Sequence, residues 1–226
     1  MEDILYTYGK NLYVNLTNRC PCNCTFCIRS QKQGLGSAET LWLDHDPSAD
    51  EVIAAFQAYR LEVFEELIFC GYGEPFCALD NMLAVCRYIR SVSDIKIRVN
   101  TNGLGDLING RETPPLLTGL VDTVSVSLNA PDAQSYLEVT RPSFGIQSFD
   151  AMVDFAARCK AASLNTVFSI VDVLPAEEIE ACKRLSEQTK IPLRIRHFSG
   201  KMHSSKQGEK TIRLLPLSFF HRHPTK

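Results

Sequence analysis

The chain lacks a second Cys-x2-Cys pair, a long apolar run and a surplus of charge of either sign. Each absence removes a class of function. With 24 Lys and Arg against 26 Asp and Glu, the net charge is −2, so nothing global attracts the protein to nucleic acid or to an anionic membrane. No stretch reaches the roughly 18 apolar residues of a membrane span. The acidic start Met1-Glu2-Asp3 is not followed by the apolar segment of a secretory signal, so the expected location is cytoplasmic. Nine cysteines, odd in number and unevenly spaced, do not make a disulfide framework in such a chain; they are expected as thiols and metal ligands. The 226 residues suit one large domain, or at a stretch two small ones. A chain of that length buries about 70% of its unfolded surface and needs no covalent staples.

What is present centres on Cys20-Pro21-Cys22-Asn23-Cys24-Thr25-Phe26-Cys27. Read through Cys20, Cys24 and Cys27 it is C-x3-C-x2-C, with an aromatic before the last cysteine. Three thiolates so close can hold three corners of a [4Fe–4S] cube, and no fourth cysteine follows at ligand spacing. A cluster that only carries electrons normally has four thiolates. One iron left open is a place for substrate or cofactor, by the logic that separates catalytic from structural zinc. The competing readings are a zinc site and buried structural thiols. A closed zinc site wants four ligands, usually two separated pairs, whereas the nearest histidine, His45, comes eighteen residues after Cys27. Cys22 forms only C-x-C with Cys20 and is read as a bystander.

The rest of the chain alternates strand and helix. Residues 12–16 are the first strand and lead through Thr17-Asn18-Arg19 into the cysteines. Arg29 and Lys32 either offset the charge of a thiolate-bound cluster or belong to a solvated loop, and 31–40, with Gly34 and Gly36, is a loop. Ser48-Ala49-Asp50-Glu51 is a capping box opening a helix to about residue 60. Strands follow at 66–70, 95–99, 121–128, 165–173 and 193–198. Between them lie helices at 81–90 and 149–159, a broken segment over 104–120, a short helix after Pro131, and a helix opened by Pro175. Cys70, Cys77 and Cys86 are expected to pack as small apolar side chains. Six strand–helix units predict an α/β fold: a partial (β/α)6 TIM-type barrel with mostly parallel strands, helices outside and chemistry on the rim after the strands. That rim would gather the cysteines, the Gly73-Glu74-Pro75 turn, Asn100-Thr101-Asn102-Gly103 and Ser127-Leu128-Asn129. Residues 1–198 are expected to form this core. Residues 199–226, with six Lys or Arg, three His and one Glu, read as a basic, irregular tail.

These motifs, in this order, resemble those of the radical S-adenosylmethionine (radical SAM) superfamily over about residues 12–198. The finer pattern (Asn-Leu-Thr-Asn-Arg-Cys, Phe-Cys-Ile-Arg, Leu41-Trp42-Leu43, Phe-Cys-Gly-Tyr-Gly-Glu-Pro and Val-Ser-Leu-Asn-Ala-Pro) is similar to that of the TatD-associated radical SAM proteins. The resemblance implies a [4Fe–4S] cluster on Cys20, Cys24 and Cys27, with SAM chelating the fourth iron. It implies that backbone at Gly73 and Glu74 meets the methionine amino group, where glycine lets backbone approach closely. Phe26 would lie near the adenine, and Thr101, Asn102, Ser127 and Asn129 are candidates for the ribose and carboxylate, with local turn chemistry as their alternative. Arg141 would pair with the SAM carboxylate or with substrate, or simply face solvent. The implied reaction is reductive cleavage of SAM to a 5′-deoxyadenosyl radical that takes hydrogen from a substrate; the cofactor carries the hard chemistry.

A flavodoxin- or ferredoxin-type electron donor and a TatD-family hydrolase are the implied partners. Alternatives within the class are a glycyl-radical-enzyme activating enzyme and a deazapurine-forming enzyme. The alternative of another class is a non-catalytic Fe–S or zinc binding module. The substrate is not legible.

Overall fold

The computed structural model describes residues 3–30 and 33–197. Lys32, Phe198 and the basic tail over 199–226 lie outside the described residues. The sheet has seven strands in sequence order: β1 Leu5–Tyr8, β2 Asn11–Val14, β3 Glu66–Phe69, β4 Lys96–Thr101, β5 Thr123–Ser127, β6 Asn165–Val171 and β7 Leu193–Arg196. From β2 to β7 every pairing is parallel; β1 pairs antiparallel with β2. β1 is the one strand missing from the sequence-based reading. Its alternation is only four residues long, and a two-residue turn opened by Gly9, at φ 60°, folds it onto β2. The fold class is as expected, an open α/β barrel, with this hairpin strand added.

The helices are α1 Ala49–Ala55, α2 Leu79–Val92, α3 Gly105–Asn109, α4 Pro114–Leu117, α5 Ala133–Thr140, α6 Ser148–Ala161 and α7 Ala176–Thr189. The capping box is formed as expected: the Glu51 amide donates to Ser48 Oγ, and the Glu51 carboxylate accepts from the Ser48 amide at 2.8 Å. The 104–120 segment breaks into α3 and α4 because Gly110 (φ 61°) ends one and Pro114-Pro115 start the other.

Strand residues divide by parity. Leu12, Val14, Leu67, Phe69, Ile97, Val99, Val124, Val126, Phe168 and Ile170 face the helices and form the main core with Met82, Val85, Cys86 and Ile89 of α2 and Met152, Phe155 and Cys159 of α6. Each such side chain contributes about 1.5–3 kcal/mol by leaving water. The alternate residues, among them Tyr13, Ile68, Cys70, Arg98, Asn100, Ser125, Ser127 and Ser169, line the inner face. Electrostatic contacts on that face run from Arg196 on β7 to Arg98 on β4, Cys70 just past β3 and Tyr13 on β2. Five interstrand steps of about 4.8 Å would keep β7 and β2 far apart in a flat sheet. The sheet therefore curls, although among the described residues β1 and β7 remain its two edges.

The end of the sheet opposite the strand exits is tied by Asp122. Its carboxylate accepts from the Ile97 amide at 2.8 Å, from Arg90 and from Lys96, while its backbone bonds to both β4 and β6. Burial alone would raise its pKa; the Ile97 amide and Arg90 outweigh this and hold it below the ordinary aspartate value. A depressed acid stabilises the fold above its unfolded pKa, about 3.9, and that contribution is lost as pH falls through the folded value. Asp122→Asn is expected to cost about 1–3 kcal/mol at neutral pH. It should also flatten the fall of the urea midpoint below about pH 4, which denaturation series at several pH values will read.

Candidate functional site

The exits of β2, β3, β4 and β5 meet on one rim. The two glycines after β3 explain how the first two come so close. A Cβ on Gly71 would stand 1.9 Å from Asn15 Oδ1, and one on Gly73 would stand 2.1 Å from the Thr17 carbonyl oxygen and 2.8 Å from that of Arg19. Without side chains, the Gly71–Gly73 turn lies directly against the stem that carries the cysteine loop, and the Glu74 amide donates to the Arg19 carbonyl at 2.8 Å.

Glu74 is buried, and its side chain joins two strand exits. It accepts from Thr101 Oγ1 at 2.7 Å, from the Asn102 amide at 2.8 Å and from the Phe76 amide at 3.3 Å. Burial, and then the negative charge developing on Cys20, push its carboxyl up to about 8 against those three donors. Thr101 is fully engaged: its hydroxyl donates to Glu74 and accepts from the Gly103 amide at 3.0 Å. Asn102 is fixed by its backbone bond to Glu74 and by an Asx turn onto the Leu104 amide. Its Nδ2 then points at the cysteine loop, 3.7 Å from Cys22 Sγ and 4.0 Å from Cys20 Sγ.

Within the loop, Cys22 is buried and lies between Cys20 and Cys24. It stays a thiol, raised by its bonds to Cys20 and Cys24 and by burial. Donation from Cys22 is the main cause that lowers Cys20 and Cys24 toward thiolate. Sequence spacing made Cys22 a bystander, whereas the fold gives it a bonding role that C-x-C spacing alone does not signal. Cys27 is half-buried, and that burial raises its thiol. Arg29 donates to the Cys22 carbonyl at 3.3 Å and adds positive charge beside Cys20 and Cys24. Phe26 is half-buried on the same loop. The loop is also stitched to α5: the Asn23 and Thr25 amides donate to the Thr140 and Val139 carbonyls, both at 2.9 Å. Cys86 is buried in the core as expected, whereas Cys70 faces the inner side and Cys77 is half-buried near Glu74.

At the β5 exit, Ser127 is half-buried. Asn129 is buried at φ 58°, a left-handed conformation that asparagine tolerates, and its Oδ1 has no partner. Arg141, also left-handed, ends α5 exposed to solvent. Sequence reasoning missed the ion pair of Asp172 and His197, 2.7 Å apart past the ends of β6 and β7. The two residues are 25 positions apart, and only the parallel register of those strands brings them together.

The donor set suits an iron–sulfur cluster. Two cysteines are biased toward thiolate, a cation adjoins them, and an unpaired buried amide oxygen at Asn129 awaits a donor. Among the described residues no three His, Cys, Asp or Glu side chains converge as the ligands of one metal ion. A cube needs wider spacing, because each thiolate binds its own iron. Glu74→Gln keeps the shape but sets an amide NH2 against one of the three donors. It is expected to cost about 1–3 kcal/mol by urea denaturation, since a buried donor loses its acceptor.

The model of the radical SAM superfamily matches residues 14–188. GTP 3′,8-cyclase of Corynebacterium glutamicum (strain R) is 30% identical over 188 residues, covering 75% of this chain and 45% of that protein. GTP 3′,8-cyclase of Mycobacterium sp. (strain KMS) is 31% identical over 144 residues, covering 60% of this chain and 37% of that protein. The chain thus spans less than half the length of the curated relatives it matches. In fold it is similar to native anSMEcpe with bound AdoMet and Kp18Cys peptide, at a TM-score of 0.61 and 16% identity over 88% of this chain and 53% of that one. It is similar also to HydG, a maturase of the [FeFe]-hydrogenase, at a TM-score of 0.57 and 15% identity over 86% and 43%. With a family match covering the cysteine loop and all four strand exits, the chain belongs to the radical SAM superfamily.

Proposed function

We propose that Cys20, Cys24 and Cys27 hold the [4Fe–4S] cluster of this radical SAM enzyme, and that SAM lies between the cluster loop and the exits of β3 to β5. The observation that carries this reading is Asn102: tethered through Glu74, it turns its amide onto the Cys20 and Cys22 sulfurs and so couples the β4 exit to the cysteine loop. When bound, the cluster and SAM supply reductive cleavage of the sulfonium and the 5′-deoxyadenosyl radical that takes hydrogen from substrate.

The chain's own residues position and tune. Cys22 and Arg29 favour the thiolate state that metal binding requires. Asn129 offers its unpaired Oδ1 to a hydroxyl or amino group, and half-buried Ser127 adds a hydroxyl beside it. The Gly73 carbonyl is the candidate acceptor for the methionine amino group, because the Glu74 carbonyl already accepts from the Cys77 amide at 2.9 Å. Thr101 acts at one remove, by holding Glu74. Phe26 is assigned to the adenine. The catalytic core is taken as residues 1–198.

Radical SAM enzymes draw their electron from an external donor, here of flavodoxin or ferredoxin type. The names of the curated relatives favour a purine nucleotide as substrate class over a glycyl-radical partner, deazapurine formation or work beside a TatD-type hydrolase.

The test is anaerobic reconstitution with iron and sulfide, then SAM and dithionite, with 5′-deoxyadenosine as the readout. The native chain is expected to bind about four iron and four sulfide and to form product; Cys24→Ala should form none. Asn129→Ala should keep the iron but weaken SAM binding about tenfold. Stoichiometric zinc with no iron would overturn the assignment.

A further inference from the structure

Among the described residues, the inner face of the sheet is covered on one side and exposed on the other. Against β1 and β2 lies the segment 33–43. Ala38 and Leu41 pack on Tyr6 and Tyr72, Asn15 Nδ2 donates to the Leu41 carbonyl at 2.8 Å, and Thr7 and Ser37 exchange two bonds. At the other edge, Arg194, Ile195 and Arg196 of β7 are all exposed.

The strand register shows what leads to that exposed side. Ser127 pairs with Ser169, and Ser169 with Arg194, so the three share one inner-face row. Asn102, one residue beyond the Thr101–Val126 pair, extends the row to the cysteine loop. Two interstrand steps separate Ser127 from Arg194, about 10 Å between Cα atoms, within reach of an arginine side chain. Arg196 stands two residues further along the same face, about 7 Å from Arg194.

Among the described residues neither guanidinium has an ion-pair or hydrogen-bond partner, although Arg98, on the same face, is bound to Glu66 at 2.8 Å. The curl of the sheet brings Arg196 within electrostatic reach of both Arg194 and Arg98. Desolvation lowers its pKa, with smaller contributions from Arg194 and Arg98 set against the opposing effect of Cys70 and Tyr13, even though the residue as a whole is exposed. Arg194 and Arg196 stand beside one another without an ion-pair partner among the described residues, and an incoming anion would supply one. Two guanidinium forks on one face of a strand, two residues apart, offer more donors than one carboxylate can engage, and they match negative charge spread over successive phosphate oxygens.

From this arrangement we infer that Arg194 and Arg196 form the anion-holding end of the substrate site. The substrate is a small molecule bearing a di- or triphosphate, laid along the Ser127–Ser169 row with its other end toward SAM. This rests on the proposed radical SAM site and extends it to residues that no cofactor role requires.

The test uses the full chain, cluster-loaded and saturated with SAM but without reductant, at about 0.15 M ionic strength. Two probes are titrated: inorganic triphosphate, which carries no base to misfit, and GTP, whose guanine does not compete for an adenosyl subsite. GTP is expected to bind about tenfold or more tighter than guanosine, and inorganic triphosphate should displace it. Arg194→Gln and Arg196→Gln should each weaken both probes about tenfold, whereas Arg184→Gln, which removes the same charge from exposed α7, should change them by less than about twofold. Equal binding of GTP and guanosine, no displacement by triphosphate, or an equal effect of Arg184→Gln would overturn the inference. The displacement measurement needs no variant, so it decides the matter even if the arginine variants fold poorly. Formation of 5′-deoxyadenosine is followed in the same preparation. SAM cleavage without phosphate selectivity sinks the arginine site alone, and phosphate selectivity without a cluster sinks the radical SAM site alone.

Discussion

One buried carboxylate holds the rim together. Glu74 takes hydrogen bonds from the β4 exit, at Thr101 and Asn102, and from its own following turn, at Phe76, while its backbone amide is fixed to Arg19 in the stem of the cysteine loop. Three strand exits that would otherwise splay are thus referenced to one residue. Such a bridge needs close approach, which is why glycine stands at 71 and 73: a single methyl at either position would meet Asn15 or the 17–19 backbone. The Gly-x-Gly-Glu run therefore packs two loops together as closely as backbone allows.

The cysteine loop adds its own internal control. The proximity of four thiols would normally raise all their pKa values, since each thiolate repels the next. Here the burden is divided unevenly. Buried Cys22 keeps its proton and donates to its neighbours, so Cys20 and Cys24 become easier to ionise, with Arg29 supporting both. The arrangement biases two of the four thiols toward thiolate, the form in which cysteine binds metal.

Much of this was legible in the sequence, and the exceptions have physical causes. The strands β2 to β7 announced themselves through β-prone runs, and the capping box through Ser48 and Glu51. β1 escaped because a four-residue strand carries little periodicity of its own; its identity lies in pairing with β2 across Gly9. For the site, the motifs located the right loops but not the division of labour within them. Thr101 and Asn102 are adjacent and similar in chemistry, yet one is consumed by Glu74 and the other faces the cysteines. That difference follows from alternation along β4, which sends neighbours to opposite faces. In the sequence, Arg194 and Arg196 are the polar half of an alternating run, Leu-Arg-Ile-Arg, which by itself marks only a strand. Only the parallel register, which places Arg194 in line with Ser127 and Ser169, gives them a direction.

The open edge at β7 has a consequence for the molecule among its own copies. Among the described residues β7 pairs only with β6, so the other side of its backbone presents free N–H and C=O groups, the template on which another chain can add a strand. A flat, apolar edge there would invite association of unfinished chains during synthesis. Instead the strand is four residues long and two of them are arginine. The same charges that repel each other within one molecule repel the identical strand of a second. Among the described residues, the exposed edge of the sheet is thereby kept unattractive to its own kind.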